Sequence, residues 1–134
     1  MNDNQIEAEI QAKGLTAPRI TPADIEANIA ECYYFTAWQG AQRAFWDEVP
    51  KDCNDVALEQ YAFGEPHQNG PLGLLTFCVL VLRNGFTVTG ESACASPENF
   101  DAELGRKIAR QNAVAKIWPL MGYALKNKLS NIQA

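Results

Sequence analysis

The chain has 134 residues, of which 47% are hydrophobic and 20% are charged, and this composition excludes a disordered or fibrous protein and leaves room for a single domain. Its formal net charge of -5 argues against bulk electrostatic attraction to nucleic acid. The longest apolar stretch, from Leu72 to Leu82, has about half of the roughly 20 residues that a membrane-spanning helix needs, so we expect no membrane segment.

Short helices are predicted in the first quarter of the chain. Residues 4–13 have apolar side chains one helical turn apart and are followed by Gly14, a common helix stop. Thr21 can cap a second helix, which we place from Pro22 to about Glu31. The aromatic run from Cys32 to Trp38 favours either a strand or an extended helix end.

The next segment, residues 39–73, is rich in closely spaced glycines and prolines. We therefore predict an irregular excursion from the domain over this range, with a short helix near Val56 to Phe63. Such long connections are either functional or simply tolerated, and both alternatives stay open here.

A β-hairpin is predicted from Leu74 to Glu91. Asn84 and Gly85 separate two β-prone runs and favour a two-residue type I′ turn, which would pair Arg83 with Phe86. Counting outward from this turn gives the expected core face, which consists of Phe77, Val79, Val81 and Val88. The second face is too apolar on its first strand to remain in water, so we expect a further element or subunit to cover it.

A long helix is predicted after the hairpin. Residues 96–103 offer capping oxygens and early carboxylates for its start. The apolar residues that follow are spaced as one buried stripe, and Pro119 is expected to kink the helix or split it near Trp118. The stripe consists of Leu104, Ile108, Ala115, Ile117, Trp118, Met121 and Leu125.

These elements predict a single α+β domain over residues 1–134, with N-terminal helices, a central β-hairpin and a long kinked C-terminal helix that packs on the hairpin. A strand near Tyr33 to Ala37 would extend the hairpin to a three-stranded antiparallel sheet. Because so small a sheet is marginal alone, we expect a homodimer that pairs hairpins or covers the second face.

The cysteine spacing argues against a metal site. Cys32, Cys53, Cys78 and Cys94 show none of the short spacings that close a zinc site, so we expect neither a structural metal nor a cofactor. The chain begins without the basic and apolar regions of a secretory signal. We therefore expect reduced thiols in a cytoplasm.

Charge is divided unequally along the chain. Residues 1–103 contain every acidic residue and have a net charge of -11, whereas residues 104–134 have +6. This division favours either an electrostatic clamp between the two parts or a basic surface for nucleic acid or a phosphorylated ligand. Arg106 and Arg110, one helical turn apart, would be the centre of such a surface.

Polar and nucleophilic groups are concentrated where the hairpin is expected to meet the long helix. Backbone N–H groups at a helix start can hold an anion, so this region is the candidate ligand site. The alternative is that its side chains satisfy backbone groups of the strand-to-helix turn. The candidate residues are Glu91, Ser92, Cys94, Asn99, Arg106 and Arg110. A thiol hydrolase would also need a base, and no spacing brings the only histidine, His67, to Cys94.

The segment from Thr76 to Tyr123, above all the run from Asn84 to Cys94, resembles a small accessory-protein family of tailed bacteriophages and prophages of enteric bacteria. The runs from Gly105 to Ala109 and from Tyr34 to Ala37 resemble it too, whereas the stretch from Trp38 to Gly73 looks specific to this chain. The resemblance implies a phage or prophage origin and expression inside a bacterial host. It carries no catalytic residues over.

We therefore expect a non-catalytic phage or prophage accessory protein that binds a host or phage macromolecule in the host cytoplasm. The alternative is a small-ligand binder that captures a nucleotide or another phosphorylated molecule through Arg106 and Arg110. A weak enzyme that uses Cys94 is a third hypothesis.

Overall fold

The computed structural model describes residues 2–52, 54–62 and 64–130. Within these ranges the strands are β1 (Ile29–Thr36), β2 (Leu75–Leu82) and β3 (Thr87–Ala93), and the helices are α1 (Asp3–Ala12), α2 (Pro22–Ala27), α3 (Ala37–Glu48), α4 (Asp55–Ala62) and α5 (Ala102–Leu129). The strands form one antiparallel sheet in the order β1-β2-β3. The predicted α+β fold, with N-terminal helices, an extended hairpin and a long C-terminal helix, is confirmed.

The aromatic run from Cys32 to Trp38 is mostly strand, which decides the alternative that the sequence left open. The predicted end of the preceding helix at Glu31 is wrong, because α2 stops at Ala27. Asn28 follows as the helix C-cap, and its carbonyl oxygen accepts a hydrogen bond from the Arg83 N–H at 3.0 Å. This contact fixes the chain beside β2, and the strand begins at the next residue.

The turn of the hairpin also differs from the prediction. Gly85 has φ +88°, its N–H donates to the Leu82 carbonyl oxygen at 2.9 Å, and the Leu82 N–H donates to the Phe86 carbonyl oxygen at 2.8 Å. These contacts define a three-residue loop from Arg83 to Gly85 in place of a two-residue type I′ turn. The extra loop residue shifts every pair of the hairpin by one position.

The shift exchanges the two faces of β2. Leu80 lies opposite Val88, and the buried side chains on the face toward α5 are Thr76, Cys78, Leu80, Leu82 and Val88. The prediction that the odd-numbered residues of β2 point into the core is therefore wrong. Those residues, Leu75, Phe77, Val79 and Val81, lie on the other face and are only half-buried.

Helix α5 packs on β2 and β3, as predicted. Ile117 of the predicted stripe is buried, and Trp118 and Met121 are partly buried against the core. The other buried positions are Gly105, Ala109 and Ala113, which the predicted stripe did not include. Leu104 and Ile108, which the spacing placed in the core, are 53% and 39% exposed. Small residues face the sheet because the bulky core side chains come from the strands. The helix continues through Pro119 and is not split near Trp118.

Residues 39–73 are not irregular throughout, which corrects the prediction. Helix α3 occupies the first part and begins with a reciprocal capping box, in which Thr36 and Gln39 each accept a hydrogen bond from the other's backbone N–H. Helix α4 confirms the predicted short helix, although Phe63, its predicted end, lies outside the described residues, as does Cys53. The glycines and prolines that suggested irregularity lie mostly after α3.

Helix α1 contains no buried residue, and two polar contacts connect it to the rest of the fold. The Arg19 guanidinium forms an ion pair with the Glu7 carboxylate, and the Trp118 indole N–H donates to Asp3 at 3.1 Å. The Arg19 contact lowers the pKa of Glu7. The Trp118–Asp3 contact ties the N-terminal helix to the C-terminal one, and the Glu7–Arg19 pair ties it to the segment before α2.

Candidate interaction surface

The six residues predicted to bind a ligand do not form one cluster. Cys94 lies just beyond β3, where its thiol donates to the Ser96 carbonyl oxygen at 3.1 Å. Ser92 is opposite Thr76 and therefore faces α5, whereas Glu91 is opposite Phe77 and faces the other way. Asn99, in a short 3-10 turn, and Arg106, on the exposed side of α5, are both solvent-exposed.

Arg110 is engaged within the fold. Its guanidinium forms two hydrogen bonds with the Glu26 carboxylate of α2, Nη1 to Oε1 at 3.0 Å and Nη2 to Oε2 at 2.8 Å. The bidentate contact lowers the pKa of Glu26 and raises that of Arg110. This pair joins the acidic part of the chain to its basic part, as an electrostatic clamp would.

Two thiols and a phenol lie near this pair. The Sγ atoms of Cys32 and Cys78 are 3.8 Å apart on the face toward α5. Burial raises the pKa of Cys78 to about 12, and burial also raises that of Tyr34 to about 12. Both groups are therefore protonated at neutral pH, and Cys78 is a packing residue here without the thiolate character of a nucleophile.

The face of the sheet away from α5, which we call the open face, is the most distinctive surface of the molecule. Its side chains are Glu31, Tyr33, Phe35, Phe77, Val79, Val81, Thr87, Thr89 and Glu91. Tyr33 is 53% exposed and Phe35 is 37% exposed. A soluble domain seldom leaves aromatic and branched side chains together on one sheet face, so the open face is a candidate interaction surface.

Neighbouring residues set the borders of the open face. At one end the Phe35 and Phe77 rings lie 5.7 Å apart, and α3 approaches closely enough that a Cβ on Gly40 would be 3.7 Å from the Phe35 ring. Toward the other end the Tyr33 hydroxyl donates to the Glu31 carboxylate at 2.5 Å, which raises the pKa of Tyr33. On the open face, the Phe35 ring of β1 thus lies at the end that α3 covers, and the Tyr33 ring lies toward the end that has an acidic side chain.

A cleft of about 360 Å³ lies at the end of the sheet where α3 begins. Its lining includes the carboxamides of Gln39, Gln68 and Asn69 and the rings of Trp38 and Phe100, and it contains no charged side chain. A neighbouring cavity of about 490 Å³ shares Asn69 and contains Cys94. Of the predicted ligand residues, only Cys94 lines either space.

Two further observations concern the described residues alone. They contain no group of three or more histidine, cysteine, aspartate or glutamate side chains placed to hold a metal ion. In the same ranges no helix combines the length and hydrophobicity needed to cross a membrane.

The comparison with protein families gives a clear result. The model of the phage protein family (N4 Gp49/phage Sf6 gene 66) matches residues 20–129. The chain belongs to this phage protein family. The predicted family resemblance is thereby confirmed. Searches of the curated proteins and of the solved structures found no match.

The open face lies within the part of the chain that matches the phage protein family. The matched range begins just before α2 and ends with α5, so it includes all three strands and the whole open face. Helix α1 precedes it. The sequence could not assign these side chains to a surface, because the register set by the predicted turn placed Val79 and Val81 on the core face. The strand was correctly expected to alternate its side chains between two faces. Which of the two sets faces the core, however, depended on the number of residues in the hairpin loop.

Proposed function

We propose that this phage protein is a non-catalytic accessory protein that binds a host or phage protein through the open face, in the host cytoplasm. The observation that supports the proposal is the row of partly exposed aromatic and aliphatic side chains on one face of the sheet. Aromatic side chains are enriched among the residues that contribute most of the binding energy at protein interfaces, because they bury a large area and lose few rotamers on binding.

The charges on the open face favour a protein over a nucleic acid as the macromolecule. Its charged side chains are Glu31 and Glu91, and no lysine or arginine lies among its residues. Phosphate groups would be repelled by these carboxylates. A protein partner with an apolar centre and basic residues at its border would complement the face.

The test compares two substitutions that each place a carboxylate on a partly exposed aliphatic position. Val79→Asp changes the middle of the open face, and Ile108→Asp, the matched control, changes the exposed side of α5, where Ile108 is 39% exposed. Tagged protein is expressed in the bacterial host, retained proteins are identified, and the affinity of each purified partner is measured by calorimetry.

We expect Val79→Asp to weaken binding at least about tenfold, which corresponds to about 1.4 kcal/mol, and Ile108→Asp to leave it unchanged. Circular dichroism establishes that both variants are folded. Equal affinities for the two folded variants would contradict the proposal. So would a wild-type protein that retains no partner.

A small-ligand function is the second candidate, and the cleft at the sheet end is the observation that favours it. Because carboxamides and aromatic rings line the cleft without a charged residue, a neutral heterocycle such as a nucleoside base would suit it better than a phosphate group. A thermal shift with nucleosides that Gln68→Ala removes and Arg106→Ala preserves would support this function. No shift with any nucleoside or nucleotide would exclude it.

A further inference from the structure

The two edges of the sheet differ in how their backbone groups are satisfied. The Leu82 N–H binds the Phe86 carbonyl oxygen, and the Cys94 N–H binds the Leu74 carbonyl oxygen at 3.0 Å, so the even-numbered residues of β2 direct their backbone toward β3. The odd-numbered residues bind β1. Cys32 and Tyr34, which lie opposite even-numbered residues, therefore direct their N–H and C=O groups to the outside of the sheet.

These outward groups of β1 are unpaired. Among the described residues, the backbone N–H and C=O of Cys32 and Tyr34 have no hydrogen-bond partner. The next outward N–H, that of Thr36, is occupied by the Gln39 side chain at 2.9 Å. Two residues with four free groups thus form the available part of this edge, and no lysine or proline protects it.

The outer edge of β3 is partly covered by comparison. Helix α5 lies along β3, and its Asn112 side-chain amide donates to the Glu91 carbonyl oxygen at 2.8 Å, so one outward acceptor of this strand is occupied. Helix α5 also packs on β2 but not extensively on β1. The β1 edge is therefore the less covered of the two.

We propose that β1 pairs antiparallel with β1 of a second copy of this chain, around a two-fold axis through Tyr33. The axis places Cys32 of each copy opposite Tyr34 of the other. Each such pair exchanges two hydrogen bonds. The two pairs together therefore satisfy the four free groups of each copy. The pattern is self-complementary because the two free residues lie symmetrically about Tyr33.

The side chains agree with this register. Tyr33 meets Tyr33 of the second copy in a close pair, and Glu31 meets Phe35, so no like charges lie directly opposite. Tyr33, Tyr34 and Phe35 are 53%, 38% and 37% exposed. Their exposed area is roughly 250 Å² per copy, against about 800 Å² per partner in a typical stable interface. We therefore expect a dimer that dissociates on dilution.

The dimer would join the two sheets into one and place two open faces side by side. It goes beyond the proposed function, which concerns the open face of each copy. The two ideas can fail separately, because Val79 lies in the middle strand and the pairing uses the outer edge of β1.

Cysteine cross-linking tests the register. Tyr33, Val79 and Thr89 form one row across the same face, so Tyr33→Cys on β1 has a matched control in Thr89→Cys on β3. Directly opposite residues of a non-hydrogen-bonded pair have Cα atoms about 4.5 Å apart, within the range of about 4.4 to 6.8 Å that a disulfide requires. The wild-type protein under the same mild oxidation controls for its native cysteines.

We expect Tyr33→Cys to form a covalent dimer at least about tenfold faster than Thr89→Cys or the wild type, since its thiols are held together before oxidation. Light scattering of the reduced wild-type protein should show a mass that rises with concentration. A Tyr33→Cys rate no higher than that of Thr89→Cys would overturn the proposal. A monomer mass at every concentration would also do so, and would leave β1 for a strand of another protein.

A second variant tests the hydrogen bonds themselves. Tyr34→Pro removes an outward N–H, and proline is tolerated on an edge strand in this position. The loss of two symmetric hydrogen bonds should weaken dimerisation about 30-fold while circular dichroism shows a folded protein. A folded Tyr34→Pro protein with the wild-type dimerisation constant would overturn the proposal.

Discussion

The β3 side and the β1 side of the sheet are built from residues of opposite size. On the β3 side the chain has Gly90, and α5 presents alanine and glycine, so helix and strand backbones are in direct contact. A Cβ on Gly90 would lie 2.2 Å from the Ala109 carbonyl oxygen and 2.2 Å from the Ala113 nitrogen. On the β1 side the residues are aromatic, and no helix covers them to the same extent.

This contrast shows how one helix can close one half of a sheet and leave the other half available. Small residues allow α5 to approach β3 until its own polar groups reach the strand edge, as Asn112 does. The bulk of the core then comes from Leu80, Leu82 and Ile117. The closed side provides stability, whereas the aromatic rings of the β1 side remain partly exposed.

The largest expected effect is at the closed side. Gly90→Ala should destabilise the protein by about 3 kcal/mol or more, because the new methyl group would collide with the α5 backbone, which cannot move without separating helix and sheet. Gly122→Ala is the matched control, since a Cβ there meets no atom within 4 Å. It should stabilise α5 by about 0.5 to 1 kcal/mol. Urea unfolding measures both, and equal midpoints would contradict the close packing.

Adjacent residues of β2 give the next comparison. Leu80→Ala removes a fully buried side chain that faces α5 and should cost about 2 to 5 kcal/mol. Val79→Ala removes a half-buried side chain of the open face and should cost about 1 kcal/mol or less. The same unfolding experiment measures both values. A larger cost for Val79→Ala would mean that the open face is covered in the free protein.

The hairpin loop should show a smaller effect. Gly85 has a positive φ of 88° that alanine adopts only with strain, so Gly85→Ala should cost about 1 kcal/mol. Its side chain would meet no atom within 4 Å, so the effect would be conformational alone. Gly85→Asn is the control, because asparagine tolerates this region, and it should be less destabilising. Equal losses for the two variants would contradict this conformation.

The smallest expected effect concerns pH. Arg110 lowers the pKa of Glu26 below its usual value of 4.5, so the stabilising contribution of this pair is present above about pH 4.5 and is lost as the pH falls through the lower pKa of the folded state. Because Glu26 is partly exposed, the contribution should be below about 1 kcal/mol. Glu26→Gln should lower stability at neutral pH and approach the wild type in acid. A difference that stays constant in acid would contradict the sign.

Much of the fold follows from local sequence signals. The Thr21 cap, the β-hairpin and the long helix after Asp101 were all predictable, because each depends on a few neighbouring residues. The first half of the α5 stripe was not, because Ala109 and Ala113 are buried there in place of Leu104 and Ile108 only since the sheet supplies the large core side chains. The box of Thr36 and Gln39 is a local signal that would have located α3.

The candidate surface depended on information that is not local. Asn84 and Gly85 permit a two-residue or a three-residue loop, and this single difference decides whether Val79 or Leu80 enters the core. The predicted ligand residues were chosen by their neighbourhood in the sequence. Arg110 instead pairs with Glu26, which lies 84 positions away in the sequence. No local spacing of residues could indicate this contact.

The most direct test of the open β1 edge is amide hydrogen exchange, measured residue by residue by NMR at increasing protein concentration. At low concentration the Cys32 and Tyr34 amides should exchange quickly, whereas the inward amides of Tyr33 and Phe35 should be protected. At high concentration Cys32 and Tyr34 should become protected, and the outward Thr89 amide of β3 should not change. Rapid exchange at Cys32 and Tyr34 at every concentration, or new protection at Thr89 instead, would contradict pairing through β1.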